Sequence, residues 1–386
     1  MKLKTFSLLS ILAASAVSAL AAPEEDKSRI ADFQSNKIPL MVYRPGARGA
    51  EMQFEKLEVL DGVVNFVLTH TDGTPGTVYV PINKEGVRFI YRLTPGLRTM
   101  RECHTKGLWE DAVKAGRSYV YPALVIMSVS ENVTNMHDNL PIFVESLVNA
   151  KKYVEAKSLM DALPLSKATP TVGETVINYA SKMIDADRYE DAKSVLERLN
   201  FGGDNLENID KVMDIAHKLR KSGKIQEALQ WYTKLQSTPD NPYAKEATLW
   251  MAYCDIIRGN IMSAQLFTDQ LRDLPKTDKV FSLKNLINGM LLMKAQNKED
   301  AIDEYAEGIV YGEISQSWMP ELLYNAAMLY KDMKQFEPSN EIFEQIMLLY
   351  PSEKYSELAK SEIVVIEKKP EEGAEGEGGE AEADAE

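Results

Sequence analysis

The chain has 386 residues, 45% apolar and 26% charged, which is the composition of a water-soluble protein with length for two or three domains. Lys and Arg number 44 against 58 Asp and Glu. The resulting net charge of −14 argues against nucleic acid or an anionic membrane surface as the main partner.

Residues 1–21 open with Lys2 and Lys4, continue as an apolar stretch from Phe6 to Leu20, and end on the small residues Ala19 and Ala21. That order is a secretory signal peptide, with cleavage expected after Ala21 and export to the periplasm or beyond. No later apolar run reaches the roughly 18–20 residues that span a bilayer, so no stable membrane anchor is expected. Residues 22–100 carry β-branched and aromatic runs at Glu51–Leu60, Val63–His70, Thr77–Pro81 and Val87–Leu93, with Asp61-Gly62 and Asp72–Gly76 between them as turns. They predict a small antiparallel, SH3-like region of about four strands. Residues 101–135 read as a helical bridge or a degenerate first repeat, since Gly107-Leu-Trp109-Glu-Asp-Ala112 echoes the pattern that follows.

That repeat dominates residues 136–366. Six segments share a large residue, two others and then a small residue: Tyr153–Ala156, Tyr189–Ala192, Ile225–Ala228, Ile261–Ala264, Lys298–Ala301 and Phe336–Ser339. Successive copies start 36, 36, 36, 37 and 38 residues apart. Upstream of each lies an amphipathic segment, for example Val212, Ile215, Ala216 and Leu219, and a Gly or polar turn such as Ser222-Gly223-Lys224 separates the two. Each copy is therefore a helical hairpin. A small residue lets the two backbones approach, and a large one four positions on, such as Tyr232 after Ala228, fills the gap toward the next hairpin. Pro164, Pro239, Pro275 and Pro351 are expected to stop the second helices.

The series Ala180, Ala216, Ala252, Gly289 and Ala327, with Gly223, Gly259 and the Ala192/Ala228/Ala264/Ala301 set, resembles the tetratricopeptide repeat family, including its exported members of outer-membrane assembly and Tol–Pal type. The resemblance implies a mainly α protein: an α-solenoid of about six hairpins with a capping helix at Ser352–Ile366 and the small β region ahead of it. It also implies that the first helices line a concave groove. The family's groove positions fall here on Leu249, Trp250, Tyr253 and Ile256, on Leu286, Met290 and Met293, and on Tyr324, Asn325, Met328 and Lys331. This is an apolar, Met-rich face suited to a hydrophobic or helical protein partner. The alternative is that neighbouring repeats bury the same residues.

The chemistry of an enzyme is missing from the pattern. His70, His104, His137 and His217 have no metal-ligand spacing, no Gly-x-Ser-x-Gly elbow occurs, and no cofactor or metal is expected. His70 with Asp72 is the one pair an active site could use. Cys103 and Cys254 lie 151 positions apart, Cys254 within a repeat helix, and are expected as two separate, partly buried thiols. Residues 367–386 carry Pro370, four glycines and no aromatic, and residues 371–386 hold eight acidic groups without a basic one. Such a tail cannot bury enough apolar surface to order itself. The expected role is an exported scaffold that holds a protein partner. A structural subunit that assembles with copies of itself is the second reading, and an enzyme sited in the β region the third.

Overall fold

The structure, a computed structural model, describes residues 30–33, six strands between residues 38 and 91, and residues 93–365. The segment read as a signal peptide, the pair His70 and Asp72, and the acidic tail lie outside the described residues. The described chain falls into two compact units that meet between Tyr243 and Ala244.

The first unit opens with strands β1 (Ile38–Tyr43), β2 (Ala50–Phe54), β3 (Lys56–Leu60), β4 (Val63–Thr69), β5 (Pro75–Pro81) and β6 (Arg88–Tyr91). They form two antiparallel sheets in the orders β2-β1-β6 and β3-β4-β5. β4 and β5 pair from Val63↔Pro81 to Thr69↔Pro75. Four hairpins follow: α1 (Pro95–Thr105) with α2 (Trp109–Ala123), α3 (Leu140–Asn149) with α4 (Tyr153–Ala162), α5 (Pro170–Asp185) with α6 (Tyr189–Leu196), and α7 (Ile209–Lys221) with α8 (Ile225–Ser237). The second unit holds α9 (Ala244–Arg258) with α10 (Ile261–Asp269), α11 (Phe281–Lys294) with α12 (Lys298–Tyr311), α13 (Met319–Asp332) with α14 (Phe336–Leu349), and the capping helix α15 (Lys354–Glu362).

The described residues therefore hold seven hairpins where six were expected. The echo at Gly107–Ala112 belongs to a complete hairpin that already begins at Pro95. Its start is set by Thr94, whose hydroxyl accepts the Leu97 amide, and by Pro95 in the first turn, where a missing N–H costs nothing. One stop signal was misread. α10 ends at Asp269, well before Pro275, because a run of turns intervenes.

All seven hairpins turn in one way. The residue two positions before the second helix has a left-handed backbone: Gly107, Lys151, Asp187, Gly223, Gly259, Gln296 and Lys334, with φ between 57° and 83°. The next amide bonds back to a carbonyl five residues earlier, as in Lys152 to Leu147 at 2.9 Å, Arg188 to Met183 at 2.8 Å and Gln335 to Tyr330 at 2.9 Å. This is the Schellman closure of a helix C-terminus, which uses up carbonyls that the helix leaves orphaned. Because it fixes the exit direction, every second helix folds back on its first.

The small residues set how closely the helices approach. Ala112, Ala156, Ala192, Ala228, Ala264, Ala301 and Ser339 are all at most 1% exposed. On the first helices the matching position is Ala in most copies, Gly289 in α11 and Val144 in α3. The α11–α12 hairpin packs more closely than the α3–α4 hairpin, while α1, with Met100 at this position, still packs closely on α2 because Gly116 makes room. At Gly289 a methyl group would stand inside the ring of Tyr305, itself 2% exposed.

Between hairpins, ion pairs recur about one repeat apart. In the first unit Arg198–Asp161 (2.9 Å), Lys211–Glu174 (2.9 Å), Lys218–Asp185 (2.6 Å) and Lys224–Asp187 (2.7 Å) join successive copies. In the second, Lys245–Asp278 (2.7 Å) and Lys298–Asp332 (2.6 Å) do the same. These pairs are largely solvated and add little stability, but they fix the register of one hairpin against the next. One rung is different. Arg117 on α2 grips the carboxylate of Glu155 on α4 with two bonds of 2.7 and 2.8 Å, and Tyr121 donates to the same carboxylate at 2.6 Å. Glu155 is 2% exposed, so this charge is buried and fully partnered.

Candidate functional site

The eleven groove positions expected from the sequence all lie in the second unit, and the structure divides them. Leu249, Trp250, Ile256 and Leu286 are at most 1% exposed and Tyr253 is 9% exposed. These five belong to the core of their hairpins, which corrects the expectation that they face a partner. The reason is aromatic packing. Trp250 meets Tyr253 edge-on at 5.4 Å and Trp318 at 6.2 Å between ring centroids, and the Tyr253 hydroxyl donates to Glu321 on α13 at 2.5 Å. A Trp and a Tyr at this place bring their own partners and fill the space a ligand would need.

Tyr324, Asn325, Met328 and Lys331 on α13 and Met290 and Met293 on α11 are half-buried. Two of these six are covered by the chain itself. Tyr324 packs against Tyr355 of the capping helix at 5.5 Å, and Lys331 bonds Glu362 at its end at 2.8 Å. Met290, Met293, Asn325 and Met328 are left with part of their surface in solvent.

The open counterpart lies in the first unit. A cleft of about 230 Å³ runs between α3 and α5, lined by Pro141, Val144, Glu145 and Val148 on one side and by Asn178, Ser181 and Lys182 on the other. Its lining repeats the same register. Leu249, Trp250, Tyr253 and Ile256 stand ten, nine, six and three residues before the turn residue Gly259. Pro141, Glu145 and Val148 stand ten, six and three before Lys151, and Asn178 and Ser181 stand nine and six before Asp187. The cleft is thus the same repeat position with smaller and more polar occupants, which leave it unfilled. The sequence reading missed it by following apolar content, although the register alone points there.

The rim of this cleft is chemically defined. Glu145 approaches Nε2 of His104 at 3.5 Å, and Nδ1 of that histidine lies 3.1 Å from Ser146 Oγ. The arrangement has the residue types of a hydrolase triad but not its function. The Ser146 hydroxyl donates to the Ile142 carbonyl at 2.7 Å and is fully buried. With that proton committed, His104 is the donor to Ser146, and its Nε2 meets Glu145 as an ion pair when the ring is protonated. Behind the cleft, the Tyr179 hydroxyl is sealed from solvent without a hydrogen-bond partner, and burial raises its pKa above the ordinary tyrosine range. Among the described residues no cluster of His, Cys, Asp or Glu could hold a metal, and no helix is long and apolar enough to cross a membrane. Cys103 is half-buried and Cys254 buried, and no disulfide joins them.

No protein-family model matches the chain, and no curated protein is similar to it. Solved structures do show likeness. PilW, a type IV pilus biogenesis factor, is 14% identical, with 58% of this chain and 99% of that one covered at a TM-score of 0.36. A tetratricopeptide repeat protein from Parabacteroides merdae is 15% identical, with 69% and 96% covered at 0.38. The Cut9–Hcn1 hetero-tetramer of the APC/C is 14% identical, with 69% and 48% covered at 0.37.

Proposed function

We propose that this protein is an exported scaffold that binds a protein partner on the face formed by its first helices, with the α3–α5 cleft as the principal docking point. The observation that carries the reading is the cleft itself: the register that is packed shut by Trp250, Tyr253 and Leu286 in the second unit is left open by Pro141, Glu145, Asn178 and Ser181 in the first. Aliphatic walls between a Glu and a Lys suit a peptide that inserts one apolar side chain and pairs its polar flanks with the rim. Met290, Met293, Asn325 and Met328 keep part of their surface exposed in the second unit, on a face that its own capping helix partly occupies. The β-strands ahead of the hairpins are read as an SH3-like module. Export rests on the signal-like order of Lys2 through Ala21.

The test is capture of the partner from envelope extract by chemical crosslinking. Glu145→Arg with Asn178→Arg is expected to weaken capture at least tenfold with the melting temperature unchanged, since both side chains are exposed on the rim. Capture at the wild-type level would remove the cleft from the docking site.

A further inference from the structure

The end of the described chain is held in an unusual way. After α15 the backbone extends, with Ile363 at φ −58° and ψ 130°. Asn340, in the first half of α14, then takes hold of one residue of this strap. Its amide Nδ2 donates to the Val364 carbonyl at 2.7 Å, and its Oδ1 accepts the Val364 amide at 3.0 Å. Two residues earlier, Lys331 on α13 donates to the backbone carbonyl of Glu362 at 2.7 Å and to its carboxylate at 2.8 Å. Four hydrogen bonds thus fix three residues, and three of the four go to backbone.

Burial alone does not explain the hold. Val365 is 88% exposed, while Ile363 is 36% exposed and Val364 half-buried, so packing supplies only part of it. A segment retained by packing alone would bury all three. Here the last hairpin reads polar backbone groups and one carboxylate, the mode by which proteins take up extended peptides. Lys331 also stands three residues before the turn residue Lys334, where Ile256 and Met293 stand before theirs. The strap therefore occupies the first-helix face of its own last hairpin.

We infer that Asn340 and Lys331 form a binding site for an extended peptide of a partner protein, in which a glutamate lies two residues before a residue whose amide and carbonyl are both free, and that Glu362–Val364 fills this site in cis. The tether gives the strap a high effective concentration, so a partner peptide enters only when the strap yields. The specificity is for the glutamate and for an extended backbone, and proline is excluded at the clamped position because it lacks the N–H that Asn340 accepts. The clamp is separate from the α3–α5 cleft, so the two proposals fail independently.

The probe is a fluorescent peptide of residues 358–369 of this chain, titrated by anisotropy against the full chain. Val364→Pro in the protein removes the strap amide while suiting the extended conformation of Ile363. It is expected to tighten peptide binding at least tenfold over wild type. Asn340→Ala added to it, or proline at the clamped position of the peptide, is expected to reverse that gain. Equal affinity of wild type and Val364→Pro, or binding that survives Asn340→Ala, would overturn the inference. Self-association of the wild-type chain by exchanged straps, seen in light scattering, would also overturn it by giving the site to a second copy. A measurement independent of the proline variant is amide hydrogen exchange at Val364. Asn340→Ala should speed it at least tenfold, and an unchanged rate would show that the clamp does not hold the strap.

Discussion

The hairpins of the first unit and those of the second are built on one plan and end differently. Both have the left-handed turn residue, the Schellman closure and the sealed small residue opposite the first helix. In the first unit the face between α3 and α5 stays open. In the second the same positions carry Trp250, Tyr253 and Leu286, which fold inward, and the last hairpin is closed by α15 and its strap. The difference shows that local sequence decides the hairpin, whereas the size of a few side chains decides whether its inner face is a site or a core.

The largest expected effect tests the one rung that is buried. Glu155→Ala leaves Arg117 and the Tyr121 hydroxyl without their shared acceptor and should cost about 3 kcal/mol in urea unfolding. A loss below about 1 kcal/mol would place it among the solvated rungs. Next comes the tight approach in the second unit. Gly289→Ala must displace the buried Tyr305 ring and should cost about 2 kcal/mol, while Val144→Ala in the loose α3–α4 hairpin leaves a small void and should cost about 1 kcal/mol. The reverse order would break the link between residue size and hairpin spacing. Smaller still are the turns. Gly223→Ala should cost about 1 kcal/mol, and Lys151→Gly or Gln296→Gly should gain about 0.5 kcal/mol, because only the left-handed backbone distinguishes them. A further small gain, about 1 kcal/mol or less, is expected from Tyr179→Phe, which removes a buried hydroxyl that bonds nothing.

Acid should act through carboxylates of lowered pKa in both units, with Glu131 and Asp278 the more buried of them. Burial works against ionisation of Glu131, but bonds from the Thr171 amide and the neighbouring threonine hydroxyls outweigh it and hold its pKa below the ordinary value. Asp278 is likewise lowered by Lys245 and the Val280 amide against the effect of burial. A lowered folded pKa means that the stability these groups contribute is complete above their unfolded values, near pH 4, and is lost as the pH falls through the lowered ones. Urea midpoints that fall between pH 5 and 3 in wild type should fall less in Asp278→Asn.

Much of this was legible in the residues. The 36-residue spacing located every hairpin from Tyr153 onward, since the pattern depends on a small residue and a turn that lie close in sequence. The hairpin at Pro95–Ala123 was seen only as an echo, because Met100 stands where Ala is usual and Gly116 opposite makes room for it. The groove was misjudged at Leu249, Trp250, Tyr253, Ile256 and Leu286 for a different reason. Apolar residues at groove positions signal a site only if nothing in the fold covers them, and the cover on Trp250 and Tyr253 comes from Trp318 and Glu321, which lie far along the chain. The strap at Val364 gave no sequence signal, because Asn340 reads backbone rather than side chains.

The most direct measurement places a photo-crosslinking residue at position 178 or at position 325 of the full chain and asks which one captures the partner. Both positions stand nine residues before their turn residue, one on the open face of the first unit and one on the occupied face of the second. Capture from position 178 with little or none from position 325 is the expected result. Capture from position 325 alone would contradict the open cleft as the docking site.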